Sequence, residues 1–192
     1  MIQKRSSDLF LFFGCNNYFG TSIIDIVFYG GLPMTKKVKT NALRMLDRAK
    51  INYEIKEYQY DEDHLSGEHI IDQVDMDAKD IFKTLVLKGN NGYLVCCIPV
   101  LEQIDLKKLA KLSNNKSVEM IHMKDLLGVT GYIRGGCSPV GMKKKFPTFF
   151  DSSIDQCQNV ALSAGKRGYQ MIVNAKELLN YLDAQVGDVI RR

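Results

Sequence analysis

Hydrophobic and polar positions recur with two different periods along this chain, and the switches between them mark out its elements. Ala42, Leu43, Leu46 and Ala49 recur at helical spacing with Thr40 or Asn41 placed to cap the start, which predicts a short amphipathic helix ending near Lys50. Tyr53, Ile55, Tyr58 and Tyr60 include period-two spacing around polar residues, so a strand is expected there, stopped by Asp61 to Asp63. A second helix is expected from His69 to Val74. Asp80 to Lys88 enters a β-rich run, Gly89-Asn90-Asn91-Gly92 reads as a hairpin turn, and Tyr93 to Val100 as the antiparallel return.

The second half continues the same way. Asp105 to Leu112 predicts a helix with Leu106, Leu109 and Ala110 on one face and Lys107, Lys108 and Lys111 on another. Val118 to Met123 reads as a short strand and Met123 to Leu127 as a turn of helix. Thr148 to Asp151 and Asn159 to Ala164 look like buried strands, the turn Gly165-Lys166-Arg167-Gly168 returns the chain through Tyr169 to Val173, and Ala175 to Leu182 carries Leu178, Leu179 and Leu182 at core spacing. Helices at both ends around a mixed or antiparallel sheet predict an α+β fold, with no repeat or linker dividing residues 34–192.

Residues 1–33 break this pattern, with Phe10, Phe12, Phe13, Phe19 and Phe28 and charges limited to Lys4, Arg5, Asp8 and Asp25. Leu9 to Phe13 is too short for a secretory signal, and no stretch reaches the roughly 20 apolar residues of a membrane span. Met34, followed by Thr35-Lys36-Lys37-Val38-Lys39, reads like a natural start. Two parts are therefore expected: residues 1–33, an extension from an upstream start assignment, and residues 34–192, the functional domain. A membrane-surface or partner-binding arm is the other reading of the extension.

Composition narrows the chemistry. At 192 residues, 45% hydrophobic and 25% charged, the chain has an ordinary globular balance, and a net charge of +4 fits a local cationic site better than a strongly basic nucleic-acid coat. Cys15, Cys96, Cys97, Cys137 and Cys157 form no C-x-x-C pair, so neither a zinc site nor a disulfide framework is suggested and a reducing cytoplasm is the expected setting. Cys96 and Cys97 sit in an apolar run as small buried hydrophobes. His64, His69 and His122 are scattered among polar neighbours, which gives no support to a triad or a metal cluster. No cofactor and no metal are expected.

The stretch from Gly131 to Lys145 carries the clearest chemical signal: closely spaced glycines, Pro139, Arg134 on one side and Lys143, Lys144 and Lys145 on the other. Gly135 and Gly136 let the chain turn through positive φ and bring bare amides to a ligand, so the loop reads either as an anion cradle or as a surface turn with a solvated basic face. Lys83, inside the apolar Ile81 to Val86 run, either points outward from an alternating strand or projects into a cleft as an oxygen-binding cation. Ser163-Ala164-Gly165-Lys166-Arg167-Gly168 lacks the full Walker spacing and the following Ser or Thr, which excludes a P-loop ATPase reading.

Phe82-Lys83-Thr84-Leu85, the glycine motif Gly131 to Gly141, and Ser163 to Gly168, together with the Leu106-Lys107-Lys108-Leu109-Ala110 helix, resemble the YbaK/EbsC proteins, stand-alone relatives of the prolyl-tRNA synthetase editing domain. The resemblance covers approximately Thr35 to Arg192 and implies a mixed, largely antiparallel curved sheet or barrel flanked by helices. It also implies a trans-editing aminoacyl-tRNA deacylase acting on Cys-tRNA(Pro), with Cys-tRNA(Cys) as a further substrate. Lys83 and Gly135 would be the catalytic positions, and Tyr58, Thr84, Gly136, Ser138, Gly165 and Gln170 would meet the substrate. Arg134, Lys143, Lys144, Lys145, Lys166 and Arg167 would meet the tRNA.

Many relatives have aspartate where this chain has Gln170, which can orient groups but cannot serve as a charged base. The implied chemistry is substrate-assisted: the cysteine thiol attacks its own carbonyl, leaving Cys137 as pocket lining. Expected partners are the 3′ end of an aminoacylated tRNA and prolyl-tRNA synthetase, with the protein a monomer or weak homodimer. An Ala- or Ser-tRNA deacylase and a non-catalytic tRNA- or synthetase-binding module are the alternatives.

Overall fold

Capping and turn chemistry set most element boundaries in the computed structural model, which describes residues 38–60 and 68–192. The expected extension 1–33, the start at Met34, the Asp61 to Asp63 stop and His64 lie outside the described residues. Helix α1 (Asn41–Ala49) buries Ala42, Leu43 and Leu46; the Thr40 side chain accepts the Leu43 N–H, and left-handed Lys50 closes the other end. The Thr40 hydroxyl also donates to the Ala164 carbonyl, tying the helix start to a distant turn.

Strand β1 (Tyr53–Glu57) stops before Tyr58, short of the expected Tyr60. Its antiparallel partner begins only at Tyr169, opposite Glu57, and beyond that pair the Tyr58 N–H donates to the Gly168 carbonyl at 2.9 Å without extending the strand. Helix α2 (Glu68–Val74) follows, and β2 (Phe82–Gly89) pairs with β3 (Gly92–Pro99) around Asn90 and Asn91. Helix α3 (Leu106–Leu112) starts where the Asp105 carboxylate accepts the Lys107 and Lys108 N–H groups, which also holds that carboxyl below its usual pKa range. Strand β4 (Val118–Met120) is shorter than expected, and α4 (Met123–Thr130) is longer. It continues past Gly128 because Leu126 and Thr130, one turn apart, both face inward, and it ends at left-handed Gly131.

Strands β5 (Thr148–Asp151), β6 (Asn159–Ser163) and β7 (Tyr169–Asn174), helix α5 (Ala175–Leu182) and β8 (Gln185–Gly187) complete the order. The strands form two sheets. One is antiparallel in the order β1-β7-β6; the other, β4-β2-β3-β5-β8, is mixed, because β3–β5 and β5–β8 pair in parallel. The expected α+β class and mixed pairing hold, but the pairing closes no barrel among the described residues: a single parallel bridge, Ile81 with Ala161, links the sheets.

The five-stranded sheet is covered on both faces. Val95, Cys97 and Phe150 pack with Leu43, Leu46 and Leu178 of the helices on one side, while Leu94, Cys96 and Phe149 pack with Leu109 and Val189 on the other. Cys96 and Cys97, neighbours on β3, thus fill opposite layers and are both fully buried, as a period-two strand requires. Every residue of β5 is buried, as expected of a strand paired in parallel on both sides. Its Asp151 is satisfied there, accepting from the Ser153 N–H at 3.0 Å and the Val189 N–H at 3.1 Å.

Candidate active site

The link between the sheets leaves a small hollow. It has a volume of about 160 Å³, and Lys83 and Thr84 of β2, Gly135 and Cys137 of the glycine loop, and Ser163 and Gln170 of the β6–β7 hairpin are among its lining residues. Lys83 is half-buried, and its ammonium donates to the Val100 carbonyl at 2.9 Å. Burial lowers its pKa from the usual lysine value, offset in part by the Glu102 carboxylate. An ammonium has three N–H donors, so one is fixed on the protein and the others remain to grip an oxygen in the hollow.

The glycine loop, which lines the hollow with Gly135 and Cys137, is shaped around Tyr132. This buried tyrosine donates its hydroxyl to the Val140 carbonyl at 2.7 Å. Its ring lies against Gly165 and its hydroxyl against Gly141, where an added Cβ would come within 3.0 and 2.8 Å respectively. Beyond Tyr132 the chain turns at Gly135, with φ of 80°. Gly136 does not share that conformation, contrary to expectation: its lack of a Cβ serves the close approach of the Arg167 backbone nitrogen, 3.1 Å from where a Cβ would stand.

The Gly136 N–H is used within the loop, donating to the Ile133 carbonyl at 3.0 Å. The N–H groups of Gly135, Cys137 and Ser138 find no protein acceptor among the described residues, although Cys137 and Ser138 are buried. Ser138, expected to contact substrate, is fully buried, and its hydroxyl instead accepts the Val140 N–H at 3.3 Å.

Gln170 forms the floor. It pairs across the hairpin with Ser163, is 3% exposed, and its Oε1 has no hydrogen-bond partner. An unmatched buried amide oxygen carries a penalty of about 1–3 kcal/mol. Cys137 contributes a neutral thiol, since burial pushes its pKa up to about 12 and leaves little thiolate near neutral pH. Cys97, behind Thr84, has its thiol within 3.8 Å of the Thr84 hydroxyl and is likewise held well above the usual range, chiefly by burial.

The remaining expected site residues fall elsewhere. Tyr58, Gly165, Lys166 and Arg167 line an open cleft of about 840 Å³ that shares no lining residue with the hollow, and burial raises the Tyr58 phenol above its usual pKa. Arg167 donates from Nε to the carbonyl of exposed Arg134 at 2.7 Å, which fastens the hairpin turn to the glycine loop. The lysine run does not form one patch. Lys143 turns back to the C-terminal end of α4, donating to the Leu127 and Gly128 carbonyls at 3.1 and 3.2 Å. Lys144 and Lys145 rim a separate groove with Met45, Phe146 and Tyr181, which shares no lining residue with the hollow.

Ser163 and the Val100 carbonyl are the participants missed in the sequence reading. Ser163 opens the Ser-Ala-Gly-Lys-Arg-Gly motif and was detectable there, whereas a backbone carbonyl leaves no mark in sequence. Exposed His122 precedes α4 without a side-chain cap bond. Among the described residues no group of three His, Cys, Asp or Glu side chains is placed to hold a metal ion, and no helix is long and apolar enough to cross a membrane.

The aminoacyl-tRNA editing domain family matches residues 66–181. EbsC of Enterococcus faecalis, whose name carries a provisional Cys-tRNA(Pro)/Cys-tRNA(Cys) deacylase assignment, is 47% identical over 152 residues, 79% of this chain and 93% of that protein. The proline–tRNA ligase of Fervidobacterium nodosum is 25% identical over 107 residues, 56% of this chain but 18% of the ligase. A crystal structure described as a candidate trans-editing enzyme for prolyl tRNA synthetase superposes with a TM-score of 0.70 at 21% identity, covering 81% of this chain and 99% of that one; it speaks to the fold.

Proposed function

Because the chain belongs to the aminoacyl-tRNA editing domain family, we propose that it is a stand-alone deacylase that clears cysteine from mischarged tRNA, with Cys-tRNA(Pro) and Cys-tRNA(Cys) as its substrates. The observation that carries this reading is the set of polar residues lining one small hollow: the half-buried Lys83 ammonium, the glycine loop at Gly135, and the Thr84, Ser163 and Gln170 side chains. Such a set receives a small polar acyl group and stabilises negative charge on its carbonyl oxygen.

Lys83 and the Gly135 backbone are the catalytic positions in this reading, with Thr84 and Gln170 orienting the aminoacyl group. The nucleophile is the substrate's own thiol. Its sulfur bonds to the ester carbonyl carbon, the bond from that carbon to the ribose oxygen breaks, and the thiol proton ends on the ribose oxygen. The products are free tRNA and a cyclic cysteine thioester. The protein's task is to hold the ester where thiol and carbonyl meet and to support the oxyanion, which agrees with Cys137 being a protonated thiol. The free cysteines among the described residues suit a reducing cytoplasm.

Incubation with cysteinyl-, alanyl- and seryl-tRNA tests the reading. Selective loss of the cysteinyl ester is expected. Loss of the alanyl or seryl ester would instead point to water as nucleophile, an option left open by the neutral amide of Gln170, and binding without loss of any ester would leave a tRNA-binding module.

A further inference from the structure

Two of the segments that line the hollow are distant in sequence, and both are fastened to the same turn of helix. The glycine loop brings Gly135 and Cys137, and the β6–β7 hairpin brings Ser163 and Gln170. The Thr40 hydroxyl accepts the Leu43 N–H at 3.2 Å and donates to the carbonyl of fully buried Ala164, the residue after Ser163. The Asn41 side-chain amide donates to the Gly141 carbonyl at 2.8 Å. Thr40 and Asn41 are neighbours at the start of α1, so one turn holds both segments.

The packing around these bonds passes the restraint on to the hollow. Gly141 lies so close to α1 that an added Cβ would stand 2.9 Å from the Ala42 backbone nitrogen. From Gly136 to Val140 every residue is buried, so the position of Gly141 is carried along a packed segment to Cys137. Neither bond is needed to start the helix. Capping uses only the acceptor side of the Thr40 hydroxyl, and the Asn41 amide bonds outside α1. The donors of both residues are directed at the segments that line the hollow.

We propose that the first turn of α1 sets the spacing between these two segments, with Thr40 and Asn41 as positioning residues for cleavage of the aminoacyl ester. Thr40 holds the hairpin and Asn41 the glycine loop. The proposal rests on the deacylase reading for the reaction that is positioned, and the opening of the hollow is measured without turnover. Cys137 makes that possible: it is 9% exposed and lines the hollow, so its alkylation by iodoacetamide in the native protein reports how tightly the glycine loop is held. Cys96 and Cys97, fully buried in the sheet, report general unfolding.

Thr40→Asp separates the two roles of this residue, because a carboxylate still caps the helix but has no proton to donate to Ala164. Combined with Asn41→Ala, it lowers kcat on cysteinyl-tRNA about tenfold with KM changed by less than about twofold. Mass spectrometry of the same double variant shows Cys137 alkylation raised about fivefold, with Cys96 and Cys97 still unreacted. Thr40→Ser, which keeps donor and acceptor, matches the wild type in both measurements. Unchanged kcat or unchanged Cys137 alkylation in the double variant overturns the clamp and leaves wild-type deacylation as it stands. Alkylation of Cys96 and Cys97 rising together with that of Cys137 also overturns it, since general loss of stability then explains the defect. Opening of the hollow in the double variant of a protein that cleaves no aminoacyl ester supports the clamp and removes the deacylase reading.

Discussion

Asp151 and Gln170 are both buried polar side chains on strands, one in each sheet, and they are treated in opposite ways. Asp151, 1% exposed on β5, has an N–H donor on each carboxylate oxygen. Gln170, 3% exposed on β7, has a carbonyl oxygen with no donor. The Asp151 carboxylate is complete by itself and fastens the segment after β8 to β5. Gln170 is incomplete, and it is incomplete where Lys83 and the glycine loop also line a hollow. Ser153 Oγ is the other buried side-chain atom without a partner among the described residues, and Ser153 lines neither the hollow nor the cleft. Burial alone therefore does not mark the site; burial together with an unmet partner and a shared cavity does.

Variants on the two sides should separate stability from turnover. The largest effect is expected at Lys83: Lys83→Ala lowers kcat/KM on cysteinyl-tRNA about 10²–10³-fold, as loss of one oxyanion-stabilising donor does, while thermal stability is kept. Asp151→Ala is the reverse case. It leaves the buried Val189 N–H and the half-buried Ser153 N–H unmatched, so urea denaturation should report a loss of about 1–3 kcal/mol, with turnover per folded molecule retained. Gln170→Leu sharpens the comparison through its sign: removing an orphan acceptor leaves stability unchanged or raises it by about 1 kcal/mol, and turnover falls about tenfold.

The smallest effect is a pH dependence. Burial lowers the Lys83 pKa below the usual 10.5, so turnover that needs its ammonium is level near neutral pH and falls as pH rises through that lowered value. Stability changes in the other direction. Between the lowered value and 10.5 the unfolded chain binds more protons at this residue than the folded one. The desolvation penalty is thus present below that window and fades as pH rises through it. Any stability gained in Lys83→Met shrinks accordingly at alkaline pH.

Local features of this fold were legible in sequence because local chemistry fixes them. The Gly89 to Gly92 turn, the Thr40 and Asp105 caps and the Leu178-Leu182 helix each depend on a few neighbouring residues. The parallel pairing of β3 with β5 and of β5 with β8 was not legible, because it joins distant segments and β8 spans only Gln185–Gly187. The lysine run shows the same limit within the site. Three adjacent cations read as one patch, but Lys143 is drawn to the end of α4 and the others face a different groove. Lys83 was ambiguous as a residue in a strand; the Val100 carbonyl that holds its ammonium comes from the far end of the hairpin. That Gln170 has no donor follows only from where β6, β7 and the glycine loop meet.

The central claim is that the hollow supplies orientation and charge stabilisation while the bound ester supplies its own nucleophile. Single-turnover cleavage of cysteinyl-tRNA beside S-methylcysteinyl-tRNA tests it most directly. The account predicts that the wild-type protein releases tRNA from the first and leaves the second intact although it still binds it. Equal cleavage of both esters would contradict it.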